Sequence, residues 1–182
     1  MTRLTVIAGP TAVGKGTVVR ELLKQSDNIV LSVSATTREP RPGEVNGVDY
    51  FFLSHEEFDQ MIAKGQMLEY AIVHGTNKYG TPREPVEVAL AAGKEVVLEI
   101  DIQGARQVKR AMPEALLIFI APPSWDELVR RLSLRGTETE DEQARRLETA
   151  RQELASADEF DAVIINEDIA KCAREVLDLI QA

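Results

Sequence analysis

Gly9-Pro10-Thr11-Ala12-Val13-Gly14-Lys15 sets two glycines and a lysine at the spacing G-x-x-x-x-G-K, between an apolar run ending at Ala8 and a helical pattern that starts at Thr17. A loop of this kind turns successive backbone N–H groups toward one point in front of a helix N-terminus, and so cradles phosphate oxygens. The lysine adds a point charge for the outer phosphates, which is the equipment of phosphoryl transfer from a nucleoside triphosphate. The pattern asks for Ser or Thr directly after the lysine, where a hydroxyl ligates magnesium. Here Gly16 stands in that place and the hydroxyl follows at Thr17. A second anion site is indicated by Arg38 and Arg41, three residues apart in a loop stiffened by Pro40 and Pro42. Guanidinium forks suit a phosphate dianion, although from composition alone the same pair reads equally well as solvated loop arginines.

The elements that must position these groups follow from apolar periodicity. Residues 4–8 form a short buried strand, and 17–25 place Val18, Val19, Leu22 and Leu23 on one helix face. A second strand covers 30–34, and 36–49 is a turn-rich loop holding Pro40, Pro42, Gly43 and Gly47. Ser54 and Glu57 have capping-box spacing and open a helix through Lys64. Residues 67–73 alternate as a strand, 75–82 turn, and 85–92 form a helix that starts at Pro85 and stops at Gly93. Buried strands at 96–100 and 116–120 flank a helix at 103–112; Ser124 with Glu127 repeats the cap spacing, and a polar helix covers 140–155. A last strand at 162–165 and a helix at 170–180 close the chain.

This alternation predicts an α/β protein, a P-loop three-layer sandwich with a parallel core sheet covered on both faces. The core takes residues 1–33, 84–123 and 157–182; an inserted, strand-rich lobe takes about 34–83, and a helical lid about 124–156.

With 182 residues, 44% apolar and 28% charged, the chain suits one folded unit. Its 30 acids against 21 Lys and Arg give a net charge of -9, which repels nucleic acid, and no long basic run is present. No segment approaches the apolar length of a membrane span, the N-terminus lacks signal-peptide anatomy, and a cytoplasmic protein is expected. The single Cys172 falls at helical spacing with Ile169, Val176 and Leu179 and reads as a core side chain. Nothing in the sequence sets an oligomeric state. Taken one at a time, several polar residues have plain structural readings. Asp101 suits a helix N-cap, Glu69 an outward strand charge, Tyr50 and Tyr79 lobe packing, and Arg130, Arg131, Arg145 and Arg146 solvated helix faces. Trp125 reads as a packing anchor, and neither His55 nor His74 has the company of a metal site.

The strings 32–41 and 43–50 closely resemble the signature of guanylate kinases, as do Gly9 to Lys15, 118–124, 135–139 and 163–166. The matches run in order over essentially the whole chain. The resemblance implies transfer of phosphate from ATP to GMP or dGMP with Mg2+, a step of purine nucleotide metabolism. It implies ATP at Gly9, Pro10, Thr11, Ala12, Val13, Gly14, Lys15, Gly16 and Thr17, with Asn166 near the donor's adenine. Arg38, Arg41 and Tyr50 would hold the acceptor phosphate with help from Tyr79, in a loop that includes Glu44. Ser34, Glu69 and Thr81 would read the guanine, whose N1–H and amine donate where adenine would leave partners unpaired. Asp101 would touch the acceptor or orient metal-bound water, with Thr17 as the other metal contact. Arg131, Arg135 and Arg146 would be lid arginines, joining Lys15 and Arg38 in stabilising the transferred charge. Two rival readings stand beside this one. The Lys-Gly-Thr ending is similar to that of adenylate kinases, which act on another monophosphate, and the lobe resembles non-catalytic guanylate-kinase-like scaffold domains.

Overall fold

A computed structural model describes residues 2–73, 76–133 and 140–182. In chain order its first elements are β1 (Leu4–Ala8), α1 (Lys15–Gln25), β2 (Ile29–Leu31), β3 (Ala35–Thr36), β4 (Phe51–Phe52), α2 (His55–Ala63), β5 (Met67–Val73) and β6 (Asn77–Pro82). There follow α3 (Arg83–Ala91), β7 (Glu95–Glu99), α4 (Ile102–Ala111), β8 (Leu116–Ala121), α5 (Trp125–Ser133), α6 (Glu140–Leu154), β9 (Ala162–Ile165) and α7 (Ile169–Gln181).

β1 is buried at all five positions because it lies at the centre of a five-stranded parallel sheet ordered β2-β7-β1-β8-β9. Helices cover both faces, so its strands carry apolar side chains without alternation. On one face Val18, Val19 and Leu22 of α1 meet Val176, Leu177 and Ile180 of α7 over Ile7 and Ile118. On the other, Ile102, Ala105 and Val108 of α4 and Val86 of α3 pack on Val6, Leu98 and Phe119. This is the expected α/β sandwich with a parallel core sheet. Cys172 lies in the first of these layers, where burial pushes its thiol pKa up to about 11, as a core role requires.

A second sheet, ordered β4-β3-β6-β5, has its own small core of Ala35, Phe58 and Met67. Two local expectations are corrected here. Residues 77–82, expected to turn, form β6, which pairs antiparallel with β5 on one side and β3 on the other. Gly80 and Pro82 read as breakers in isolation, but two partner strands outweigh weak propensity, and Pro82 stands at the strand's end. The expected strand 30–34 ends at Leu31; the chain leaves the core sheet and re-pairs at Ala35 in the second one. Helix α3 starts at Arg83, so Pro85 occupies its third position, where the missing N–H would lack an intrahelical partner anyway.

The caps behave as their spacing predicts. Ser54 Oγ accepts from Glu57 N at 3.1 Å, and the Glu57 carboxylate accepts from Ser54 N at 2.7 Å. Ser124 Oγ accepts from Glu127 N at 3.2 Å, while the Glu127 carboxylate takes Arg130 and Arg131. α5 and α6 share an apolar seam of Leu128, Leu132 and Ala150, with Trp125 against it and the Arg151 guanidinium 4.9 Å above the indole. Trp125 is therefore an anchor. Among the described residues no helix is long and apolar enough to cross a membrane.

Candidate active site

The Gly9–Lys15 loop joins the carboxyl end of β1 to the first residue of α1, at the edge where ligands of parallel sheets bind. Gly9 is obligatory there: its φ is 151°, and an added Cβ would stand 2.3 Å from the Ile120 carbonyl oxygen of the neighbouring strand. Gly14, with φ 95°, precedes the helix and leaves its first N–H groups uncovered by any cap side chain. Lys15 Nζ donates to the loop's own carbonyls, Gly9 at 2.5 Å and Pro10 at 3.1 Å. Thr11, Gly14, Lys15, Gly16, Thr17, Arg20 and Glu99 line one cavity of about 330 Å³.

Glu99, Arg20 and Glu153 enter this neighbourhood without having been expected. Glu99 ends β7, next to β1, and a Cβ on Gly16 would lie 3.4 and 3.5 Å from its two carboxylate oxygens. A side chain at position 16 would thus start in ordinary contact with this carboxylate, which stands beside the place where the usual pattern carries a hydroxyl. Burial raises the Glu99 pKa, and the charges of Lys15 and Arg20 oppose the rise. Arg20 Nη2 donates to Thr17 Oγ1 at 3.1 Å. Position at the carboxyl end of a parallel strand is the signal that could have found Glu99.

Asn166, just past β9, is 3% exposed. Its Nδ2 donates to the Val13 carbonyl at 2.9 Å, so the side chain braces the loop, and its buried Oδ1 has no partner among the described residues. Arg131 reaches the same shoulder from α5, donating to Val13 O and Asn166 O at 3.3 Å each and to Glu127 at 2.8 Å. It is thus half-buried against the loop rather than a solvated face. Arg130 and Arg131 hold the Glu127 carboxyl down at about 2. Arg146 lies on the exposed surface of α6, and Arg135 and His74 fall outside the described residues.

Residues 38–50 and the second sheet bring together another set. Arg38 makes a bidentate pair with Glu44, at 2.9 and 3.0 Å, and Glu44 also accepts from Arg41 N at 2.7 Å. Glu44, with Tyr79 adding to it, holds the Arg38 pKa above even its usual value. The Arg38 guanidinium lies 5.3 Å over the Tyr50 ring, which meets Tyr79 edge-on at 6.1 Å. Arg38, Glu44, Tyr50 and Tyr79 therefore form one cluster, with Arg41 exposed beside it.

Glu69 is not the outward charge that strand alternation suggests. It is 6% exposed, at a register irregularity in β5 between Met67 and Glu69. Thr81 Oγ1, fully buried on β6, donates to its carboxylate at 2.7 Å. Gly104 at the start of α4 gives it space, since a Cβ there would stand 2.9 Å from Glu69 Oε2. Burial pushes the Glu69 pKa up to about 7; the Thr81 bond opposes this and the Asp101 charge adds to it. Asp101 caps α4 as its position predicts, accepting from Gly104 N at 2.7 Å. Ser34 stands one residue before β3, and its carbonyl accepts from Phe51 N.

Comparison with known proteins gives the family. A family profile described as guanylate kinase matches residues 1–182. The chain is 60% identical over 176 residues to a guanylate kinase of Leifsonia xyli subsp. xyli, covering 97% of this chain and 69% of that protein. It is 57% identical over 178 residues to one of Nocardia farcinica, covering 97% and 92%. A crystal structure of guanylate kinase from Anaplasma phagocytophilum superposes with a TM-score of 0.78 at 37% identity, over 99% of this chain and 85% of that one. With a family match along its whole length and a relative at 60% identity, the chain belongs to the guanylate kinases.

Proposed function

We propose that this protein transfers the terminal phosphoryl group of ATP to GMP, and to dGMP, yielding ADP and the nucleoside diphosphate. The observation that carries the choice of acceptor is the buried Glu69–Thr81 pair at 2.7 Å. A dry carboxylate takes up the N1–H and exocyclic amine of guanine; adenine presents an acceptor at N1 and would leave the carboxylate facing a lone pair. The 2′-hydroxyl plays no part in that contact, so dGMP is accepted as well.

The loop 9–17 receives the triphosphate on its N–H groups, and Lys15 turns from the Gly9 and Pro10 carbonyls to the outer phosphates. Arg38, Arg41, Tyr50 and Tyr79 hold the acceptor phosphate, with Glu44 fixing the Arg38 fork. Phosphoryl transfer asks mainly for in-line placement and charge neutralisation, which Lys15, Arg38 and the arginines of the lid (Arg131, Arg135 and Arg146) supply. Closing of the lobe and lid excludes water from the transferred group. Oxygen donors suit magnesium: the Thr17 hydroxyl and the Glu99 carboxylate of the donor cavity would hold it, with Asp101, which lines a neighbouring cavity, reaching it through water. The ion would neutralise phosphate charge when bound. A compartment that holds both nucleotides and keeps the lone thiol reduced, the cytoplasm, suits this reaction.

The test is a coupled ADP-release assay with ATP and magnesium, presenting GMP, dGMP, AMP, CMP and UMP in turn. Turnover with GMP and dGMP alone is the expected result, and equal or faster turnover with AMP would refute the acceptor assignment.

A further inference from the structure

We infer that Glu153, on the helix α6, is a positioning residue for the donor loop: together with Ala12 it ties the loop's first corner to the lid helices, so that the phosphate cradle keeps its shape only while α6 is docked. The inference rests on the reading of residues 9–17 as the ATP site.

Ala12 is the one non-glycine residue with a positive φ, 62°, among the described residues. An L side chain is disfavoured there because its Cβ crowds the following carbonyl, so something must hold the turn. Its methyl packs against the seam of Leu128, Leu132 and Ala150, which belongs to α5 and α6. One residue earlier, the Thr11 N–H donates to Glu153 Oε2 at 3.3 Å. Ala150 and Glu153 are three apart on α6 and so share the face turned to the loop. Loop and helix thus meet twice, by an apolar contact at Ala12 and a polar one at Thr11.

The surroundings of Glu153 favour a fixed acceptor over a solvated charge. Burial raises its pKa and so does the Asp101 charge, while Lys15 and the Thr11 N–H act the other way. Most of α6 is polar and exposed, but Leu154, next to Glu153, packs into both the lid seam and the core layer over β1 and β8. The carboxyl end of α6 is therefore its anchored end. Nothing in the motif spacing announces this partner, since 142 residues separate Thr11 from Glu153.

Glu153→Ala and Glu153→Gln would be compared with the wild-type chain by calorimetric titration with a non-hydrolysable ATP analogue, and by steady-state kinetics varying ATP and GMP separately. Loss of the acceptor in Glu153→Ala should weaken analogue binding and raise the KM for ATP by about tenfold, leaving the KM for GMP within about twofold. Glu153→Gln keeps a carbonyl for the Thr11 N–H and should recover most of the loss. A double-mutant cycle with Ala12→Gly should show the two sites coupled in analogue affinity by more than about twofold. The proposal is overturned if Glu153→Ala binds the analogue as wild type does, or if both Glu153 variants bind it more tightly, which would make the carboxylate a repulsive charge. It also falls if the ATP and GMP constants rise together with a lowered Tm, or if the cycle is additive. Should Glu153→Ala not fold, Glu153→Leu, which keeps the bulk and lacks an acceptor, takes its place in the titration, the kinetics and the cycle. A wild-type chain that ignores the analogue would remove the donor site and this proposal together; binding that is merely insensitive to Glu153 removes only the proposal.

Discussion

Under the acceptor assignment proposed above, Glu69 faces opposed demands: it must be dry to select a base and ionised to bind it. Its pKa of about 7, set by burial, means that below neutrality guanine can bind only as the carboxyl gives up its proton. GMP affinity should therefore rise between about pH 6 and pH 8, with proton release in calorimetry. The acceptor phosphate itself titrates near pH 6, so Glu69→Gln is the control: its steeper component should vanish, along with much of the preference for GMP over AMP. Stability takes the opposite sign. A carboxyl whose folded pKa lies above its unfolded value contributes fully below the unfolded value of 4.5 and loses that contribution as pH rises through about 7. Urea unfolding of the empty wild-type chain should thus weaken between about pH 5 and pH 8, by up to about 3 kcal/mol relative to Glu69→Gln. Lys15 Nζ donates to the Gly9 and Pro10 carbonyls at 2.5 and 3.1 Å on a loop that the sheet and α1 hold in place, so Lys15→Ala should abolish turnover with a Tm shift of a few degrees at most. Lys15 and its glycines were legible from spacing, because the cradle is local. The burial of Glu69 was not, since it depends on a β5 irregularity and on Gly104 arriving from α4.

At the scale of elements, helix starts were the most readable feature, because a cap and its N–H lie within one turn. The reciprocal Ser54–Glu57 bonds should make Ser54→Ala cost about 1 kcal/mol, seen as a lower urea midpoint with an unchanged slope. Asp101 was equally local: it accepts from the N–H three residues on, at 2.7 Å. Strand β6 was missed for the opposite reason. Its partners, β3 and β5, supply what Gly80 and Pro82 take away, and that pairing is invisible in a window of six residues. Arg131 likewise looked like an exposed helix charge until α5 was set against Val13 and Asn166.

At the scale of the whole molecule, two sheets with separate cores share one chain, and the donor loop and the Arg38 cluster stand on different ones. The proposed transfer, which brings two phosphates into line, then calls for closure. Small-angle scattering should show the radius of gyration falling when GMP and a non-hydrolysable ATP analogue bind together, more than with either alone. The core sheet should behave as the rigid base of that motion. Ile118, fully buried on β8 between β1 and β9, should cost about 2–5 kcal/mol as Ile118→Ala in urea unfolding.

The amino-acid sequence alone determined the phosphate loop, the alternation of strands and helices, the caps and the family signature, all of which are written in neighbouring residues. Tertiary structure decided which of the polar residues are dry, which arginines touch the loop, and that Glu99 and Glu153 stand beside it. Burial and electrostatic company are properties of groups distant along the chain, and they exist only once the sheets and helices have packed.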